Sequence, residues 1–195
     1  AALFGAFAVN SSPPRTATEE LLVSTAADRA AEHLDVAIPK GSKVFVDASN
    51  FEGTDSKYAI AAIRDHVARC GGYLVADRKD ADMALEIRTG ALSIDEKSLL
   101  VGIPRFDVPI PLAGNFKFPE IALFKRAQQK GVAKFAATGI DARTGQLIHA
   151  AEPDFGLSHR TDWVLLLFIS WTTDDVMPKS KSGLTGRLLD DGIGG

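Results

Sequence analysis

Cysteine is nearly missing from this sequence. Cys70 is the only one in 195 residues, which excludes an intramolecular disulfide and any cysteine-rich metal site. It leaves the compartment open, because many proteins of oxidising compartments have no disulfide at all. Long hydrophobic runs are missing too: no stretch approaches the 18 or so apolar residues of a membrane-spanning helix. There is no basic excess, since 22 Lys and Arg face 25 Asp and Glu for a net charge of -3. A nucleic-acid partner, which usually meets a basic stripe, is therefore not expected. Nucleotide signatures are absent, with neither a G-x-x-x-x-G-K-[ST] loop nor a G-x-G-x-x-G turn. His33, His66, His149 and His159 form no H-E-x-x-H or i,i+4 pair, and Cys70 has no C-x-x-C mate. No cofactor and no metal are expected.

What is present is ordinary in amount. With 46% hydrophobic and 24% charged residues, the chain is neither a collagen, a coiled coil nor wholly disordered. Its length suits one domain able to bury a core without staples. The expected organisation is an N-terminal arm over residues 1–15, a single α/β domain over 16–178 and a flexible tail over 179–195. The apolar start AALFGAFAVN reads either as a hydrophobic arm or as the membrane-proximal start of an exported chain. Asn10-Ser11-Ser12 fits a glycosylation sequon, which matters only in a eukaryotic secretory setting.

Pro13-Pro14 breaks the chain, and Thr16 with Glu19 forms a capping-box signature. Leu21, Leu22, Ala26, Ala30 and Leu34 then recur at helical spacing, so a helix is predicted from about Thr18 to Leu34. Lys43 to Asp47 reads as a short strand. A second helix, capped by Asp55, ends at Gly71-Gly72, and Leu74 to Ala76 is a brief strand. Met83, Leu85, Ile87 and Thr89 alternate with Ala84, Glu86, Arg88 and Gly90, which predicts a longer third strand. Leu99 to Pro119 holds Pro104, Pro109, Pro111 and Pro119. These deny it a central place in a sheet, so it is expected to be a long loop. Glu120 to Gln129 reads as a helix and Val132 to Ile140 as a fourth strand. Asp141 to Gly145 is a turn before a fifth strand, Gln146 to Ala151. The fold class expected is α/β (α+β), a mixed sheet of about five or six strands with helices packed on it.

Three weak constellations could carry chemistry. Gly156-Leu157-Ser158 begins like a nucleophile elbow, but Arg160 stands where a second glycine belongs. Asp47, Glu52 and Asp55 cluster after the first strand, where open α/β folds place ligands. With His159 they would make a small hydrolase or ligand-binding enzyme, although a helix cap and solvated charges account for them more simply. Asp77, Asp80 and Asp82 are interrupted by Arg78 and Lys79, the pattern of a self-neutralising turn. No catalytic residue is assigned.

The most informative feature is the run Trp163-Val164-Leu165-Leu166-Leu167-Phe168-Ile169-Ser170-Trp171. As one strand it would be buried on both faces. It fits a central strand, a subunit interface or a lipid contact, since tryptophan favours membrane boundaries. The Leu99 to Pro119 segment is also more apolar than an ordinary surface loop. The residues expected to form an interface are Trp163, Leu165, Leu167, Ile169 and Trp171, with Ile103, Phe106, Ile110 and Leu112 from the proline-rich segment.

Pro13 to Leu22, Pro119 to Arg126 with Gly131 to Lys134, and Ser158 to Thr161 with Ser170 to Asp175 together resemble a family of bacterial cell-envelope lipoproteins of unknown function. The resemblance covers roughly Pro13 to Pro178. It implies a location at the periplasmic face of the outer membrane and membrane attachment through an N-terminal anchor. The architecture is also similar to the α/β domain of the curli secretion-channel lipoprotein and of outer-membrane activators of peptidoglycan synthases. That second likeness implies a non-catalytic module that often assembles into rings. Channel-forming members insert long alternating hairpins, which the proline-rich segment here is expected to lack. The function expected is thus a non-enzymatic envelope module for protein-protein assembly, with itself as a homo-oligomer or with other envelope proteins.

Overall fold

The computed structural model of the chain describes residues 15–110, 114–166 and 168–176. Helix α1 spans Ala17–His33 and starts where the capping box sets it: the Glu19 N–H donates to the Thr16 hydroxyl, and the Thr16 N–H to the Glu19 carboxylate. Its buried side is mostly small, with Ala26, Ala27, Ala30 and Ala31 beside Leu22 and Val23. Strand β1 (Lys43–Asn50) leads into α2 (Ser56–Arg69) and then β2 (Tyr73–Leu74), which pairs parallel to β1. Asp55 precedes α2 but makes no side-chain cap; its carboxylate pairs instead with Arg15. Arg78–Asp80 forms one 3₁₀ turn.

Strand β3 runs from Met83 to Ile103, far beyond the Thr89 limit expected from alternation. Its start lies parallel to β1, and its whole length pairs antiparallel with β6 (Ile121–Asp141). Between them sits a two-stranded ribbon of β4 (Phe106–Ile110) and β5 (Gly114–Phe118). Strands β7 (Leu147–Ala150), β8 (Asp154–Leu165) and β9 (Ile169–Asp174) complete the chain. The main sheet has seven strands, ordered β2-β1-β3-β6-β8-β9, with β7 also on β6. The fold is therefore mixed α/β and strand-dominated, with more strands than the five or six expected.

Three expectations are corrected. Glu120 to Gln129 is not a helix but the first half of β6. Its Ala, Leu, Lys, Arg and Gln are good helix formers, but pairing with β3 on one side and β8 on the other outweighs local propensity. Leu99 to Pro119 is not a loop: it ends β3, forms the ribbon and so builds the long hairpin it was expected to lack. Three of the four prolines fit: Pro104 and Pro119 stand at the breaks around the ribbon, and Pro109 lies in a two-stranded ribbon, where every strand has an open edge, while Pro111 lies outside the described residues. Trp163 to Trp171 is not one central strand but a hairpin: β8 ends at Leu165, Leu166 takes a left-handed φ of 51°, and β9 begins at Ile169. The expected arm, apart from Arg15, and the whole of the expected tail over 179–195 fall outside the described residues.

The core lies where α1, α2 and the first part of the sheet meet. Val44, Val46, Ile63, Val67, Leu85, Ile87 and Phe135 are buried together, and the Phe51 and Phe135 rings sit 5.2 Å apart. Helix α1 crosses β6 and β8 at very short range. A side chain at Gly131 would overlap the Leu22 carbonyl and the Ser158 hydroxyl, and one at Gly156 the Ala26 carbonyl and Ala30 N–H. Glycine at both positions is what lets backbone meet backbone there.

Gly156→Ala should then lower stability by about 3 kcal/mol, since α1 must lift off the sheet to admit one methyl group. Gly90→Ala meets no backbone, only the methylene stem of the Lys134 side chain, which can turn aside, and should cost less than Gly156→Ala, about 1 kcal/mol. Urea unfolding of the two variants checks this contrast.

Candidate assembly surface

Strand β1 accompanies β3 only from Met83 to Arg88. Beyond that point β3, β6, β8 and β9 continue as a four-stranded antiparallel arm that outruns the helices. Residues directly opposite one another share a face, and so do residues two apart along a strand. The registers therefore define rows across one face. Asp95, Lys130 and His159 form the row nearest the core; Lys97, Gln128, Thr161 and Thr173 the next. Then come Leu99, Arg126, Trp163 and Trp171, and finally Val101, Phe124, Leu165 and Ile169. The last two rows are apolar except for Arg126.

The edge-strand members of those rows are exposed, Leu99 55%, Val101 51%, Ile169 46% and Trp171 46% accessible, while Phe124, Arg126, Trp163 and Leu165 between them are half-buried. The two tryptophans face each other across the hairpin and stack, with centroids 5.8 Å apart and planes 7° from parallel. Phe124 meets Trp163 edge-on at 5.9 Å, and the Arg126 guanidinium lies 5.0 Å above the same indole. Such contacts between neighbours hold the rows in shape but leave their outer surface uncovered.

The opposite face of the arm is mixed, with Leu100, Ala127 and Val164 set among charged and hydroxyl side chains. Gln129 donates to Glu96 (2.7 Å), Arg160 pairs with Asp162 (3.1 Å), and Thr172 donates to the same carboxylate (2.5 Å). Partial burial raises the Asp162 pKa, but hydrogen bonds from Thr172 and Arg160 outweigh it and hold the group below its ordinary value. At the base, Arg29 of α1 reaches both the Leu157 carbonyl and Asp175 (2.7 Å to the carboxylate), while Asp175 accepts from the His159 N–H at 2.7 Å. Burial again works upward on Asp175, and the His159 and Arg29 hydrogen bonds win, lowering its pKa. This clasp fastens the β8–β9 hairpin to α1.

Of the residues expected at an interface, Trp163, Leu165, Ile169 and Trp171 are brought together on this face. Ile103 ends β3 and is 44% exposed. Phe106 lies in the ribbon, stacked on Phe118 at 4.8 Å. Ile110 pairs with Gly114 at backbone level, and Leu167 and Leu112 lie outside the described residues. The sequence reading missed Phe124 and Arg126, which it placed on a helix. It counted Leu99 and Val101 among loop residues; their period-two spacing with Ile103 was a usable signal. The alternation of Phe106, Asp107 and Val108 and of Phe116, Lys117 and Phe118 could likewise have disclosed the ribbon.

The enzyme-like constellation is not assembled. Asp47 follows β1's middle and accepts from the Ser49 hydroxyl and N–H, which lower its pKa in a local turn. Asp55 is engaged by Arg15. His159 belongs to β8, with β3 and β6 lying between it and β1, a separation of about 14 Å at ordinary strand spacing. Ser158 is buried and donates to the Leu22 carbonyl at 2.6 Å, so its hydroxyl is a packing bond between β8 and α1. Of the acidic run, Asp77 neighbours Lys79 at 3.8 Å and Asp82 accepts the Lys43 N–H at 2.9 Å. Among the described residues no group of three or more His, Cys, Asp or Glu is placed to hold a metal ion.

Fold and surface together define a small mixed α/β domain that carries a two-faced antiparallel arm. The chain belongs to DUF6655, a family of unknown function, whose model matches residues 2–164. No curated protein matches it.

The lowered Asp175 pKa gives a pH signature. Its clasp contributes stability that is fully present above the unfolded carboxylate value, about 3.9, and is lost as pH falls through the lower folded value. Asp175→Asn should lower the urea midpoint at pH 7, and the gap from the unaltered protein should shrink as the pH is taken below about 4.

Proposed function

We propose that this chain is a non-enzymatic module of the bacterial cell envelope that works by assembly, with copies of itself or with other envelope proteins. The resemblance to envelope lipoproteins supports a place at the periplasmic face of the outer membrane, with attachment through the N-terminus. The observation that carries the assembly reading is the arm itself: an exposed apolar face bounded on both sides by strand edges with no flanking strand among the described residues. Exposed edges are ready templates for pairing with another chain.

The strand count supports self-association in particular. Four alternating strands leave β3 and β9 running in opposite directions, so β9 of one copy meets β3 of the next antiparallel when both arms point the same way. A three- or five-stranded arm would offer a parallel pair instead. Such head-to-tail contacts close into a ring if the rotation per copy fits a full turn. The apolar rows would then continue from Trp171 and Ile169 onto the next copy's Leu99 and Val101.

Sedimentation velocity should find a species larger than a monomer. Proline placed singly at Thr172 and Thr173 removes an outward N–H at one of the two, and that variant should sediment as the monomer with its core intact by circular dichroism. A monomer at the highest soluble concentration of the unaltered protein would overturn self-association. Fractionation of the source cell should recover the protein with the envelope; recovery from the cytosol alone would overturn the location.

A further inference from the structure

The end of the arm is graded in depth as well as two-faced. Its rows pass from charged, through polar, to a level of Leu99, Arg126 and the two tryptophans, and then to purely aliphatic and aromatic residues. Beyond the last row the β8–β9 turn exposes Leu166 and Phe168, the latter 79% accessible, where a turn into water ordinarily carries Gly, Asn, Asp or Ser. The Leu166 N–H donates to the Leu123 carbonyl at 2.8 Å, which fixes that turn against β6, at the end of the arm from which the β4–β5 ribbon springs. One side of this ribbon is wholly apolar, pairing Phe106 with Phe118 and Val108 with Phe116, while Asp107 and Lys117 pair on the other.

A groove in another protein has no need of this order, but a phospholipid bilayer has it: charge in water, tryptophan and arginine at the headgroups, aliphatic groups below. Charge fits as well. Between Leu99 and Arg126 the cations Arg105, Lys117, Lys125 and Arg126 outnumber the carboxylates Asp107 and Glu120, in a chain whose net charge is -3. That sign suits anionic headgroups. The Arg126 guanidinium over Trp163 keeps its charge at the indole level, as interfacial arginines do.

We propose that the end of the arm inserts into the outer part of an anionic phospholipid bilayer, with Phe168 and Leu166 among the upper acyl chains and Trp163, Trp171 and Arg126 at the headgroups. Within the β8–β9 hairpin the tryptophan row is about 7–10 Å from the turn at strand rise, the penetration typical of interfacial elements and far short of the roughly 30 Å hydrocarbon core. This hairpin dips into one leaflet. This deepens the assembly reading by naming lipid as the partner of the arm's apolar end, and so rests on that reading's choice of the arm as the working surface.

The chain's two tryptophans, Trp163 and Trp171, both lie at this surface, so intrinsic fluorescence reports on it alone. Full-length protein is mixed with phosphatidylglycerol or phosphatidylcholine vesicles whose acyl chains are brominated. The emission should shift to the blue and be quenched, more strongly with phosphatidylglycerol. Phe168→Asp, in an exposed turn, should reduce the partition into vesicles about tenfold or more, and Phe116→Asp should reduce it too. No quenching at saturating vesicle concentration overturns the proposal, as does flotation with vesicles while the tryptophans stay unquenched. Emission already blue and shielded from acrylamide in vesicle-free oligomers would show that a second copy covers the face, and overturns it equally. An oligomer without quenching leaves the assembly reading standing; quenching of a monomer removes self-assembly and keeps the lipid contact.

Discussion

The close approach of α1 to β6 and β8 is the contact on which the rest of this structure depends. Gly131 and Gly156 remove the side chains that would stand between helix and sheet, Ala26 and Ala30 supply a flat helix surface, and Ser158 donates to the Leu22 carbonyl. Backbone dipoles and a buried hydroxyl are tolerable at such range only because each polar group there has a partner. With α1 seated, the Arg29–Asp175 clasp holds the last hairpin and the core between β1, β3 and α2 is closed.

That same contact divides the sheet into two regimes. On the core side, strands are covered and their residues are apolar in unbroken runs, as Met83-Ala84-Leu85 is. Past Gly131 no helix covers the sheet, and the four strands persist on ladder hydrogen bonds, cross-strand stacking and the polar network of Glu96, Gln129, Arg160 and Asp162. A free arm of this kind exposes more apolar surface on one face than isolated surface residues do. The two strand edges follow from strands that outrun their neighbours, whereas the exposed rows lie on the face turned away from α1: Arg126 is five residues from Gly131 and Trp163 five from Ser158, an odd spacing that puts them on the opposite side of the sheet.

Much of the first half was legible in the sequence because its signals are local. Thr16 and Glu19 are three residues apart and satisfy each other, so the start of α1 is set within one turn. Asp141 and Gly145 do the same for the turn between β6 and β7: Asp141 accepts the Arg143 and Thr144 N–H groups and Gly145 takes a φ of 74°. The alternation of Met83 to Thr89 marked the start of β3. The apolar run at Trp163 also stood out, and four of its residues do lie on the exposed face.

What the sequence by itself determined, then, is a mixed α/β chain with its capped first helix, its turns and the apolar residues that had to go somewhere. Only the tertiary structure decided where. Helix-forming Ala122 to Gln129 became strand because β3 and β8 offered ladders on both sides, a contribution that no local window contains. The proline-rich segment became a hairpin because its partner strand lies across the ribbon, and the tryptophan run folded back on itself because Leu166 could turn. Pairing between residues far apart in sequence sets strand register and length, and it was register alone that put Leu99, Phe124, Trp163 and Trp171 on one surface.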